Sequence, residues 1–69
     1  MKRTKLKVLR VKHDLTQTDI AKRVGVTTGY YCNIENGKRD GGNKFWNTLK
    51  DEFGLTLREV YEIRENVEI

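Results

Sequence analysis

The chain has no proline, and only one cysteine and one tryptophan, in its 69 residues. Each scarcity closes off a class of protein. With no proline, no helix is kinked or broken by a residue that lacks a backbone N–H. A lone Cys32 cannot close an internal disulfide, which suits a reducing compartment. Cys32 and the single His13 together fall short of a zinc site, so no metal and no cofactor is expected. No stretch approaches the roughly 20 apolar residues that a membrane helix needs. The basic amino end Met1-Lys2-Arg3-Thr4-Lys5 is followed by no unbroken apolar segment, so neither a secretory signal nor a membrane partner is expected. These absences predict a soluble, cytoplasmic, metal-free chain.

The length predicts one domain over 1–69, with a core over about 5–62. A chain of this size buries only about 60% of the surface its unfolded form exposes. Its core then supplies about 3–5 kcal/mol of stability, with little room for an enclosed active site. There is no pairing of carboxylates, no nucleophile beside a base and no phosphate loop in the pattern, so the chain does not read as an enzyme and no catalytic residue is assigned.

What the chain does have is charge, unevenly laid out. The net charge is +4. Residues 1–44 hold 11 Lys/Arg against 4 Asp/Glu, whereas residues 45–69 hold 3 against 6. A basic front and an acidic back point one face toward a polyanion.

The apolar spacing predicts five helices and an all-α fold. Leu6, Leu9 and Leu15, flanked by Val8 and Val11, mark a first helix from about Lys5 to His13, with Thr4 as N-cap. After a turn at Asp14-Leu15, Thr16 and Asp19 have capping-box spacing, opening a second helix from Gln17 to Val24 that buries Ile20, Ala21 and Val24. Gly25 sits where a helix stops in the left-handed conformation that glycine adopts freely. Thr27 caps a third helix, Thr28 to about Asn36, burying Tyr31 and Ile34. Lys38-Arg39-Asp40-Gly41-Gly42 reads as a polar, flexible loop. A fourth helix starts near Asn43, buries Phe45, Trp46, Leu49 and Phe53, and stops at Gly54. Thr56 and Glu59 form a second capping box, opening a fifth helix that buries Leu57, Val60, Tyr61 and Ile63. In the tail 65–69, Val67 and Ile69 alternate as in a short strand, leaving it frayed or dimerising.

The second and third helices form the informative pair. Two helices of about eight residues meeting at a glycine-centred turn must cross steeply. That crossing wants a small residue in the second helix, which is Ala21, and apolar inner positions, which are Ile20, Val24, Val26, Tyr31 and Ile34. The register signals a helix-turn-helix. In Leu15-Thr16-Gln17, Ile20-Ala21, Val24-Gly25-Val26-Thr27 and Ile34-Glu35-Asn36-Gly37-Lys38-Arg39, the chain resembles the lambda-repressor/Cro-type (Xre-like) helix-turn-helix family.

The resemblance implies a compact five-helix lambda-repressor-like domain whose third helix enters the major groove of double-stranded DNA. It implies Thr28, Gly29, Tyr30 and Asn33 as the residues facing base edges. Gln17, Thr27, Asn36, Lys38, Arg39, Asn43 and Lys44 would hold phosphates, positioning without specifying. Arg10 and Glu35 would form a structural ion pair. The implied function is a transcriptional regulator, a repressor of phage, mobile-element or bacterial type, binding a palindromic operator as a homodimer and nucleoid-associated through DNA. The alternative is a DNA-binding antitoxin or other interaction module that takes a protein partner on its last helix. Three features depart from the family pattern. Gly29 leaves a base-reading position without a side chain, Tyr31 replaces a smaller aliphatic, and the loop before the fourth helix lacks a proline.

Overall fold

The polar residues before and after each apolar stripe decide where the helices begin and end. In a computed structural model, which describes residues 2–65, the elements are α1 (Thr4–Lys12), α2 (Gln17–Val24), α3 (Thr28–Glu35), α4 (Asn43–Phe53) and α5 (Leu57–Glu65). No strand occurs among the described residues, and none of their helices is long and apolar enough to cross a membrane. The fold is all-α.

Two helices open on reciprocal caps. The Thr16 hydroxyl accepts from Asp19 N at 3.1 Å while Asp19 Oδ2 accepts from Thr16 N at 3.0 Å. Thr56 and Glu59 repeat the arrangement before α5, at 3.1 and 2.9 Å. Each box satisfies two orphan donors that the first turn would leave open.

Helix ends are closed by left-handed residues. At Gly25 (φ 75), Val26 N donates to Ala21 O at 2.9 Å and Gly25 N to Lys22 O at 3.2 Å. At Gly37 (φ 77), Lys38 N reaches Asn33 O at 2.8 Å and Gly37 N reaches Ile34 O at 3.1 Å. Both are Schellman closures, which need a residue tolerant of positive φ. The same pair of bonds closes α1 around Asp14 (φ 55), a residue with a Cβ, so this turn carries a strain the glycine turns avoid.

The core is Leu6 from α1, Ile20, Ala21 and Val24 from α2, Tyr31 and Ile34 from α3, Phe45, Trp46 and Leu49 from α4, and Val60 and Ile63 from α5. α2 packs on α3 and α4, α1 packs on α5 and α3, and α4 packs on α5. Thus α3 is backed by α1 and α2, and Phe45 of α4 lies near Tyr30 and Tyr31, while Gly29 in its first turn stays exposed.

Four readings of the sequence need correction. Thr4 does not cap α1; it is the first helical residue, and Arg3 holds the cap position without a side-chain cap bond. Tertiary bonds fix Arg3 there, as described below, and they outrank the local cap. α3 stops at Glu35, with Asn36 as its C-cap. Leu57 and Tyr61 are not core: they are 72% and 64% exposed. They lie one turn apart on the flank of α5, whose inward face is set by Val60 and Ile63. Finally, the loop 38–42 is bonded to three other parts of the chain rather than hanging free. The strand-like reading of Val67 and Ile69 lies outside the described residues.

Candidate nucleic-acid interface

α3 is presented by its front and held by its rear. At the front, the Thr27 hydroxyl accepts from Tyr30 N at 3.1 Å and sets the first turn. Thr28 makes only a long contact to Thr18, 3.4 Å between hydroxyls. Gly29 is exposed, and a Cβ built on it would touch nothing within 4 Å. Asn33 is half-buried; its carbonyl is taken up by the turn at Gly37, while its side-chain amide has no hydrogen bond among the described residues. Tyr30 is also half-buried and turns its ring edge toward Phe45, with centroids 6.3 Å apart. Its outer face is covered by the Arg39 guanidinium at 5.5 Å.

At the rear, the Glu35 carboxylate is buried and takes three donors. Arg10 Nε donates to Oε1 at 2.9 Å, the Tyr31 hydroxyl to Oε1 at 2.8 Å, and Gln17 Nε2 to Oε2 at 2.8 Å. Burial alone would raise the Glu35 pKa. The hydrogen bonds from Arg10, Gln17 and Tyr31 outweigh it and hold the carboxylate below its ordinary range. The same burial, with the adjacent carboxylate, pushes the Tyr31 phenol far up, so Tyr31 serves only as a neutral donor. Arg10 also donates to Leu15 O at 2.9 Å, tying the α1–α2 turn to the end of α3. The hydroxyl of Tyr31 explains its departure from a smaller aliphatic: it supplies the carboxylate with a third donor.

The loop that follows is fixed by Arg3, which is only 4% exposed. Its backbone N–H donates to Glu35 O at 2.8 Å. Its guanidinium donates to Ile34 O at 2.6 Å, Arg39 O at 2.7 Å, Asp40 Oδ1 at 3.1 Å and Arg64 O at 3.0 Å. It lies over the Trp46 ring at 5.5 Å, and Trp46 Nε1 donates to Asp40 O at 2.9 Å. Arg64 completes the cluster from α5, donating to Asp40 Oδ2 at 2.8 Å and Asn43 Oδ1 at 3.2 Å. Lys38 and Arg39 therefore leave a pinned backbone with exposed side chains.

These contacts sort the residues picked from the sequence. Thr27, Tyr30 and Lys44 share a groove between the α2–α3 turn and α4, with Val26 and Phe45 as its apolar wall. Gln17 and Asn36 share a second, polar cleft beside α1. Lys38 and Arg39 lie on the loop joining α3 to α4. Two of the set are engaged within the chain, Gln17 with Glu35 and Asn43 with Arg64. Among the described residues, Lys38, Arg39 and Lys44 join none of the ion pairs, which take up much of the acidic charge elsewhere: Arg23 with Glu52, Arg58 with Glu62, and Arg64 with Asp40. Three cations outside those pairs thus follow α3 in the chain, two on the loop and one at the start of α4. Sequence reasoning missed Arg3 altogether, and it passed over Lys2 and Lys7, which line the polar cleft with Gln17 and Asn36.

Comparison with known proteins supports a helix-turn-helix. A helix-turn-helix family model matches residues 6–40, about half of the chain. An uncharacterized HTH-type transcriptional regulator of Methanocaldococcus jannaschii is 36% identical over 59 residues, covering 86% of this chain and 89% of the relative. No solved structure matches the chain at a significant level.

Proposed function

The chain belongs to the Xre/lambda-repressor-type helix-turn-helix family of DNA-binding regulators, and from that premise we propose that it is a sequence-specific repressor that reads double-stranded DNA with the front of α3. The observation that carries this reading is the contrast along one helix. Its rear is bonded into the core, and its front leaves Thr28, Gly29 and Asn33 without strong partners among the described residues, beside Lys38, Arg39 and Lys44, which join no ion pair among them.

In this reading the whole chain, residues 1–69, is one binding domain. Asn33 pairs its amide with a base edge, a bidentate match to adenine worth about 1–3 kcal/mol of discrimination. Thr28 meets a thymine methyl or a base acceptor. Gly29 lets the backbone approach the groove, and Tyr30 borders it. Phosphates are held by Gln17, Thr27, Asn36, Lys38, Arg39, Asn43 and Lys44. For Gln17, the second amide hydrogen faces the phosphate while the first stays on Glu35. For Asn43, the interaction with Arg64 must open or be shared.

A homodimer on a palindromic operator places the two α3 helices about 34–36 Å apart. We assign the dimer contact to the flank of α5, where Leu57 and Tyr61 stand exposed. The same pair supports the second reading, an antitoxin-like module, in which a different chain covers α5. Selection of bound sites from random DNA, with the mass of the complex measured in solution, tests both. The proposal expects a recurring two-fold motif and two copies per site. Binding without any recurring motif would contradict it, and co-purification of a second, unlike chain on α5 would favour the alternative.

A further inference from the structure

The polar cleft beside α1 has a construction that solvated surface lysines lack. Its floor is the Glu35–Arg10–Gln17 network, and its rim carries Lys2, Lys7 and Asn36. Lys2 sits next to a residue that cannot move freely. Arg3 is buried, and its backbone and guanidinium together make five hydrogen bonds to the end of α3, the loop after it and the end of α5. The segment before α1, ordinarily the freest part of a small domain, is held against the C-terminal end of α3. Lys7, on α1, lines the same cleft as Lys2, and neither lysine joins an ion pair among the described residues. The one acid lining the cleft, Glu35, is already neutralised by Arg10 and donated to by Gln17 and Tyr31. The cleft is therefore net cationic, with an amide at each of Gln17 and Asn36 to orient an oxygen ligand.

We propose that this cleft is a further phosphate seat, in which Lys2 and Lys7 hold a backbone phosphodiester of the bound duplex beyond those contacted by the helix-turn-helix itself. The inference rests on the DNA-binding reading and extends its footprint along one strand, past Gln17 and Asn36 to the amino end of α1. The chemistry recognised is an unesterified phosphate oxygen pair, a feature every DNA sequence offers. The seat adds affinity and register and carries no sequence information.

The part of α1 turned toward α5 provides the control. Lys12 lines a different groove, between α1 and α5, in company with Glu59 and Ile63. Binding of a mixed-sequence DNA duplex is followed across a salt series for the wild type, the double variant Lys2→Gln/Lys7→Gln and the single variant Lys12→Gln. All three replaced side chains are exposed, so each variant should fold as the wild type does. Each neutralised phosphate contributes about 0.9 to the slope of log affinity against log salt, so the double variant should lose about 0.9 of slope and bind about tenfold more weakly near 0.1 M salt. Lys12→Gln should keep the wild-type slope. A double variant that loses no more than twice the slope lost by Lys12→Gln overturns the seat, because the lysines then act only through net charge. Absence of duplex affinity in the wild type is a different result, which removes the DNA-binding reading itself.

Discussion

The two ends of α3 are built from the same eight-residue helix and treated in opposite ways. Its last turn is among the most heavily bonded parts of the molecule: Glu35 receives Arg10, Gln17 and Tyr31, and the carbonyls of Ile34 and Glu35 receive Arg3. Its first turn has a threonine cap, one long hydroxyl contact and an exposed glycine. The difference teaches how a domain of this size can present a rigid helix edge. Charged bonds concentrated at one end fix the helix axis, so the other end can stay unencumbered and meet a partner without paying to be ordered.

The comparison can be broken most directly at the rear. Glu35→Ala removes a buried carboxylate and leaves the Arg10 guanidinium, itself 14% exposed, with a single carbonyl partner. Breaking a buried pair in this way costs about 3–5 kcal/mol, close to the whole stability of so small a domain. Urea unfolding should therefore show a chain that is largely unfolded at room temperature. A loss under about 1 kcal/mol would show that the rear is not the anchor.

Acid should reach the same network more gently. Because the folded state holds Glu35 below its ordinary value of 4.5, its contribution is complete above that pH and is lost as pH falls through the lower folded pKa. The midpoint of urea unfolding should thus fall as pH drops below about 4.5, and Glu35→Gln should be less stable at pH 7 with a flatter acid limb. An acid limb as steep in Glu35→Gln as in the wild type would assign it to other carboxylates, such as Asp40, which Arg64 also holds below the usual range.

The smallest effect belongs to the front. At Gly29 a methyl group meets no atom within 4 Å, so Gly29→Ala should stabilise α3 by about 1 kcal/mol. If glycine is there for close approach to the groove, the same variant weakens operator binding while raising stability. Unchanged affinity and specificity would remove that role and leave Gly29 as an unused position.

Local patterns made much of this legible. The capping residues Thr16, Thr27 and Thr56, the left-handed Gly25 and the stripe from Phe45 to Leu49 each declare themselves within one or two turns, and α2, α3 and α4 begin where those signals place them. Arg3 gave no such signal, because its partners Ile34, Arg39, Asp40 and Arg64 lie 31 to 61 positions away. A basic residue among basic neighbours looks like solvated charge until the fold closes around it. Asp14 was equally silent: a left-handed turn without glycine is set by the Schellman bonds around it. Leu57 and Tyr61 misled for the converse reason, since apolar spacing alone does not say how far a helix is rolled against its neighbours. At the site, the resemblance paired Arg10 with Glu35, but the attachment of Gln17 and Tyr31 to the same carboxylate emerged only from the fold.

Specificity at a single base pair probes the front of α3 most directly. Asn33→Ala and Lys38→Ala, each compared with wild type on a selected operator and on its single-base variants, separate reading from holding. Asn33→Ala should cost about 1–3 kcal/mol on the operator and erase discrimination at one position per half-site, while Lys38→Ala should weaken every sequence evenly and reduce the salt slope by about 1. Full discrimination retained by Asn33→Ala at every position would contradict the assignment of base reading to this edge of the helix.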